Sequence, residues 1–124
     1  MRSLSLHTLL EFYDCNPAEL KHSRQVKTLM HESVLKGGGT IVKEVFHNFS
    51  PYGVSGVIVI TESHVTIHTW PEHGYAAVDI FSCSAKLDHD AIRDALKRGL
   101  SSARVKSKSF SRGPRSKKAR AMPA

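Results

Sequence analysis

Residues 46–83 read FHNFSPYGVSGVIVITESHVTIHTWPEHGYAAVDIFSC, and this stretch contains the clearest strand signals in the chain. Its apolar, β-branched runs predict three strands, at residues 54–61, 64–70 and 75–83. The first run, VSGVIVI, is apolar almost throughout, which indicates burial on both faces. Pro71 and Gly74 bound a predicted turn between the second and third strands. The link between the first two strands, Glu62-Ser63-His64, contains neither glycine nor proline.

The flanking sequence adds two helices and three more strands. The Asn-Pro pair that begins at Asn16 is typical of a helix start, and the glycines at 37–39 predict the end of that helix. A second helix is predicted from Asp88 or Asp90 through Leu100. The further strands are predicted at residues 3–13, 40–49 and 103–110. This order predicts an α+β domain, a two-layer α/β sandwich with a mostly antiparallel sheet and its helices on one face.

Length and composition predict one globular domain. The chain has 124 residues, of which 40% are hydrophobic and 23% charged, so it can bury a core and is neither disordered nor a disulfide-rich miniprotein. No apolar run is long enough to cross a membrane. The amino-terminal segment meets Glu11 and Asp14 too early for a secretory signal. We therefore expect a cytoplasmic protein whose Cys15 and Cys83 are thiols.

The positive charge is concentrated at the carboxyl end. The whole chain carries a net charge of +7, but its last 24 residues hold eight basic side chains and no acidic one. The first hundred residues hold 10 basic and 11 acidic groups, a net charge of −1. We expect a folded domain over 1–110 and a basic, disordered tail over 111–124. A binding module that uses this tail on RNA or acidic partners is the alternative of a different class, but the near-neutral domain disfavours nucleic-acid binding.

The quoted stretch is rich in side chains that can do chemistry. His64 and His68 lie four residues apart on one strand and Cys83 follows, which allows a metal site, but no Cys-x-x-Cys or His-Glu-x-x-His pattern supports one. Ser63 with a histidine base would form a nucleophilic site, although Gly-x-Ser-x-Gly is absent. Residue patterns alone leave both possibilities open, and we predict no metal.

Three blocks in this stretch resemble the prokaryotic S-adenosylmethionine decarboxylases, a family of pyruvoyl-dependent enzymes. The blocks are FHNFSPYGVSG, ESHVTIHTWPE and GYAAVDIFSC, and the opening EFYDC is also similar. The resemblance covers about residues 1–105. It implies a chain that makes its own cofactor, a pyruvoyl group derived from Ser63, and that pairs into a homodimer with active sites at or near the interface.

The resemblance implies self-cleavage between Glu62 and Ser63, into fragments 1–62 and 63–124. The Ser63 hydroxyl attacks the Glu62 carbonyl, the resulting ester undergoes β-elimination, and hydrolysis leaves the pyruvoyl group. His68 matches the residue that removes the Ser63 α-proton, and Ser55 matches a helper of processing. Cys83 matches the proton donor in decarboxylation and contributes to processing. A serine hydroxyl suits this reaction because it reaches its own preceding carbonyl in a five-membered ring.

The implied substrate is S-adenosylmethionine, whose amine forms an imine with the pyruvoyl ketone so that CO₂ can leave. The product would supply the aminopropyl group for spermidine synthesis. Phe49 matches an aromatic residue that stacks on adenine. Glu72 matches the acid that binds the ribose hydroxyls, which a carboxylate can accept as a pair.

Two departures from the family pattern keep alternatives open. Ser5-Leu6 stands where relatives have Gly and a variable residue, and Ser84 stands where relatives have glycine after the catalytic cysteine. Ser84 adds a side chain beside the expected proton donor, which bears on the shape of the substrate pocket. A pyruvoyl-dependent arginine or ornithine decarboxylase therefore remains the alternative within the same enzyme class.

Overall fold

The computed structural model describes residues 3–83 and 86–115, which form a six-stranded sheet with two helices. The strands are β1 Ser3–Tyr13, β2 Ile41–Asn48, β3 Val54–Ile60, β4 Ser63–Trp70, β5 Tyr75–Ser82 and β6 Arg104–Arg115; the helices are α1 Ser23–Lys36 and α2 His89–Gly99. The strand order is β2-β3-β4-β5-β1-β6, and every neighbouring pair is antiparallel. The predicted α+β sandwich is confirmed.

The core lies between one face of the sheet and the two helices. Alternate residues of the inner strands are buried there, and they meet the apolar sides of α1 and α2. Fully buried members are Leu10, Phe12, Ile58, Ile67, Ile80, Val26, Met30, Ile92 and Leu96. The intervening residues of each strand point to the other side, which we call the open face because no helix among the described residues covers it.

The first helix begins later than the sequence predicted. Asn16 does act as a cap, but of a short 3-10 turn, Pro17–Glu19, and α1 starts only at Ser23. The interruption follows from contacts with the sheet: Thr69 Oγ1 donates to the Leu20 carbonyl at 2.8 Å, and Asn48 Nδ2 donates to the Lys21 carbonyl at 3.0 Å. Because these carbonyls bind sheet side chains, they are not available to the helical amides four residues on.

The last strand runs further than predicted. β6 continues to Arg115, five residues past the expected domain end, because Arg112 and Arg115 pair with Ser5 and Ser3 of β1. The rest of the predicted tail, 116–124, lies outside the described residues, as does Ser84. No helix in the described part of the chain is both long and apolar enough to cross a membrane.

Candidate active site

The link between β3 and β4 is a two-residue turn. Ile60 pairs with Ser63, which leaves only Thr61 and Glu62 to reverse the chain. Glu62 has a φ of 61°, in the left-handed region that a residue with a side chain enters at a cost of about 1 kcal/mol or more. The absence of turn-forming residues noted in the sequence therefore corresponds to backbone strain at the residue that precedes Ser63.

The carbonyl of Glu62 is held by a backbone donor from β5. The Cys83 N–H donates to the Glu62 oxygen at 3.2 Å, just beyond the pairing of Ser63 with Ser82. An N–H aimed at a carbonyl oxygen is the arrangement that stabilises negative charge when that carbonyl is attacked. The fold thus brings together three predicted residues, Glu62, Ser63 and Cys83, and the Cys83 thiol is free and exposed.

A second group of predicted residues lies at the opposite end of the same strands. Ser55 and His68 pair across β3 and β4, and the Ser55 Oγ lies 2.7 Å from His68 Nδ1. His68 is exposed on the open face. When Nδ1 donates to the serine oxygen, the lone pair is on Nε2, which can then accept a proton.

Phe49 and Glu72 belong to this second end. Phe49 lies in the β2–β3 loop, is 50% exposed, and packs edge-on against His47 with ring centroids 4.6 Å apart. Glu72 is exposed in the 3-10 turn Pro71–His73 that follows β4. The loop and the turn are neighbours, since a side chain at Gly53 would approach Pro71 to 3.9 Å. We call Ser55, His68, Phe49 and Glu72 the loop end, and Glu62, Ser63 and Cys83 the turn end.

One chain does not bring the two ends together. Ser63 and His68 are five positions apart on β4, which is about 17 Å along an extended strand. The two side chains also point to opposite faces, because an odd spacing reverses the direction in a strand. The same geometry removes the metal site considered above: His64 and His68 share the open face but are about 13 Å apart, too far to bind one ion.

Sequence reasoning missed a shared carboxylate on the open face. Asp79 accepts hydrogen bonds from Thr66 and His7, the latter at 2.7 Å, and lies 3.3 Å from His64 Nε2. Burial raises the pKa of Asp79, but the bonds from Thr66 and the two histidines outweigh it and leave the pKa below its usual value. The alternation of β1 and β5 places these residues on one face, so the missing information was the pairing of those two strands.

An aromatic pocket of about 450 Å³ also opens on this face, beside the loop end. Glu11 accepts from the hydroxyls of Tyr75 and Tyr13, and Trp70 stacks at a tilt on Tyr75. Burial, together with the bond to Glu11, raises the pKa of Tyr75 to about 12, so this hydroxyl remains a donor at neutral pH. No sequence motif marks this pocket, because its lining residues come from β1, β4, β5 and the turn Pro71–His73.

Comparisons with known proteins point to one family. The family model for S-adenosylmethionine decarboxylase matches residues 6–113. The S-adenosylmethionine decarboxylase proenzyme of Thermosipho melanesiensis is 50% identical over 105 residues, which are 85% of this chain and 81% of the relative. The proenzyme of Thermotoga maritima is 47% identical over the same shares of the two chains.

A solved structure extends the likeness to the fold. The crystal structure of the adenosylmethionine decarboxylase from Aquifex aeolicus matches with a TM-score of 0.85 and 27% identity, over 92% of this chain and 94% of that one. The resemblance drawn from the three sequence blocks and the expected decarboxylase class are thereby confirmed. The chain belongs to the S-adenosylmethionine decarboxylase family.

Proposed function

We propose that this chain cuts itself between Glu62 and Ser63 and then decarboxylates S-adenosylmethionine. The observation that carries the proposal is the turn end, where a strained residue presents its carbonyl to a backbone N–H immediately before a serine. The relatives are S-adenosylmethionine decarboxylase proenzymes, which favours S-adenosylmethionine as substrate over arginine or ornithine. Among residues 3–83 and 86–115, no feature favours a purely binding role.

The turn end fits the first chemical steps. Attack by the Ser63 hydroxyl converts the Glu62 carbonyl into a tetrahedral oxyanion, which the Cys83 N–H stabilises. The C–N bond then breaks and an ester joins Glu62 to the Ser63 oxygen. Breaking this bond also releases the left-handed φ of Glu62, so relief of strain favours the forward reaction.

The residues at the turn end also fit the pyruvoyl group that follows elimination and hydrolysis at Ser63. With substrate bound, this group would supply an electron sink for the electron pair that departing CO₂ leaves on the substrate α-carbon. Residue 63 is then the first residue of β4, and it pairs with Ser82, the neighbour of Cys83. The exposed Cys83 thiol can deliver a proton to the substrate α-carbon.

The elimination step needs a base at Ser63, and within one chain His68 is about 17 Å away. We therefore propose that His68 and Ser55 act on Ser63 of a second copy. A two-fold axis that runs across the strands, with the open faces in contact, would set the loop end of each protomer over the turn end of its partner, where His68 would approach the Ser63 α-carbon from the face opposite the Ser63 side chain. Phe49 and Glu72 would enter the same composite site, where they would bind adenine and ribose.

The open face supports pairing with a second copy. It exposes large apolar side chains that a partner would bury: Leu9, Val45, Val59, Trp70 and Phe110, each 39–52% exposed. Such a concentration of exposed apolar side chains on one face marks an interaction surface. The free thiols of Cys15 and Cys83 fit the reducing cytoplasm, where we place the enzyme.

Mass spectrometry of the purified protein tests the cleavage. We expect fragments 1–62 and 63–124, the second lacking an amine at its first residue, and an intact chain for Ser63→Ala. The processed protein should release CO₂ from carboxyl-labelled S-adenosylmethionine and none from arginine or ornithine. A wild-type chain that stays intact at every pH would refute the proposal.

Mixing two inactive variants tests the composite site. His68→Ala and Ser63→Ala should each fail to complete processing alone. In mixed dimers, the Ser63→Ala chain supplies the intact His68, so the His68→Ala chain should be converted. If both catalytic residues acted within one chain, mixing would restore nothing.

A further inference from the structure

A buried chain of hydrogen bonds lies under the sheet at the turn end. His89, the first residue of α2, is only 7% exposed, and both of its ring nitrogens are bonded. Nδ1 lies 2.7 Å from Thr8 Oγ1, and Nε2 lies 2.8 Å from Ser82 Oγ. Thr8 Oγ1 lies 2.9 Å in turn from Ser109 Oγ. No sequence motif singles out His89.

This series of hydrogen bonds ends at Ser82, directly beside the proposed nucleophile Ser63. Ser82 is buried and pairs in register with Ser63 across β4 and β5. Opposite residues of an antiparallel pair share a face, with Cβ atoms about 4.5–5.5 Å apart, a spacing at which two hydroxyls can hydrogen-bond. Ser63 can therefore donate to Ser82 while Ser82 donates to His89.

The surroundings keep the imidazole neutral. Burial lowers the pKa of His89, and nearby His7 acts in the same direction, against the opposing charges of Asp88 and Asp90. The position at the positive end of a helix also disfavours a charged ring. A neutral ring whose Nδ1–H is donated to Thr8 presents a lone pair on Nε2 to the Ser82 hydroxyl.

We propose that His89 is a positioning residue for self-cleavage and that, acting through Ser82, it takes up the proton lost by the Ser63 hydroxyl. The inference rests on the self-cleavage proposed above. It assigns a different residue to each proton transfer: His89 to the attack on Glu62, and the partner's copy of the Ser55–His68 pair to the later elimination.

The proton balance of the step is closed. As the Ser63 oxygen bonds to the Glu62 carbonyl carbon, its proton moves to the Ser82 oxygen, and the Ser82 proton moves to His89 Nε2. When the bond between the Glu62 carbonyl carbon and the Ser63 nitrogen breaks, the imidazolium returns a proton through Ser82 to that nitrogen. The step needs no oxidant, reductant or further reactant.

The test follows ester formation in precursor made by cell-free translation. Hydroxylamine cleaves the ester, so the fragments that it releases report the acyl shift separately from elimination. His89→Gln should slow the shift by about 10- to 100-fold, within the range of acid–base assistance. The wild-type rate should fall as His89 is protonated at lower pH, whereas the His89→Gln rate should not follow that titration.

Substitutions at Ser82 and Ser109 separate a proton path from a packing role. Ser82→Ala should be as slow as His89→Gln, and Ser82→Thr, which keeps the hydroxyl, should recover the rate. Ser109→Ala leaves the bond between His89 and Ser82 intact and should match the wild type. Thermal melting identifies variants that do not fold.

Two results would overturn the inference. One is a folded His89→Gln chain with the rate and pH profile of the wild type. The other, which decides the matter if His89→Gln does not fold, is equal rates for Ser82→Ala and Ser82→Thr. A wild-type precursor that gives neither fragments nor ester would instead refute the proposed function itself.

Discussion

The two ends of the sheet prepare the reaction in different ways. At the turn end the backbone prepares the reaction, through the left-handed φ of Glu62 and the N–H of Cys83. The side chains that support this end, Ser82 and His89, are buried. At the loop end the reacting groups are side chains, the half-buried Ser55 and the exposed His68, held by one hydrogen bond. A strained bond can be prepared within a single chain, while an exposed base can serve a second copy.

The largest effect is expected at the loop end. His68→Ala removes the base proposed for elimination, so conversion of the ester to the pyruvoyl form should slow by about 10²- to 10⁴-fold. The ester itself should still form, because the turn end is unchanged. Hydroxylamine should therefore cut the His68→Ala protein into two fragments, which a denaturing gel resolves. A variant that forms no ester would show that the two ends are not separable.

The next effect separates the backbone from the side chain at one residue. Cys83→Ala keeps the N–H that contacts Glu62 but removes the thiol. Decarboxylation by the processed variant should fall by about 100-fold or more. The rate of self-cleavage should fall much less, because the backbone N–H of residue 83 remains. Single-turnover CO₂ release and the fraction of cleaved chain measure the two steps, and equal losses would contradict the division.

The sequence alone predicted the strands, but it did not predict which side chains the strands bring together. Alternation and β-branched runs located β1 and β3–β5 closely, because these signals are local. The hydrogen bond from Thr69 to the Leu20 carbonyl joins residues that are 49 positions apart in the sequence. No local sequence pattern could therefore predict the late start of α1. A left-handed glutamate at 62 is likewise fixed by the pairing of the flanking strands rather than by propensity.

The candidate site was predicted as a set of residues and not as an arrangement. Motif blocks named Ser63, His68 and Cys83 together, and only the register revealed that His68 lies at the other end of β4. The bonding of His89 under the sheet depends on Ser82, which is near it in sequence, and on Thr8, which lies 81 positions away along the chain. Long-range pairing thus supplied what local patterns lack.

A smaller effect is expected from the strained turn. In the uncleaved Ser63→Ala background, Glu62→Gly removes the side chain that disfavours a φ of 61°. The folded precursor should gain up to about 1 kcal/mol, less whatever the added freedom of the unfolded glycine costs. Urea denaturation of the two variants measures the difference. With Ser63 present, Glu62→Gly should cleave several-fold more slowly, and faster cleavage would show that the strain does not favour the reaction.

The smallest effect is a pH dependence of stability that arises at the turn end. Because the pKa of His89 is lowered in the folded chain, the unfolded chain binds this proton more readily, and stability from His89 is present above the ordinary pKa of 6.5 and lost as pH falls below it. The lowered pKa of Asp79 has its effect below about pH 4, outside this window.

The Ser63→Ala precursor should therefore melt at a lower temperature at pH 5 than at pH 8. Adding His89→Gln should reduce that difference, whereas adding His47→Gln, a change at an exposed histidine of the other end, should leave it intact. An equal reduction by both variants would mean that burial at the turn end does not set the pH response.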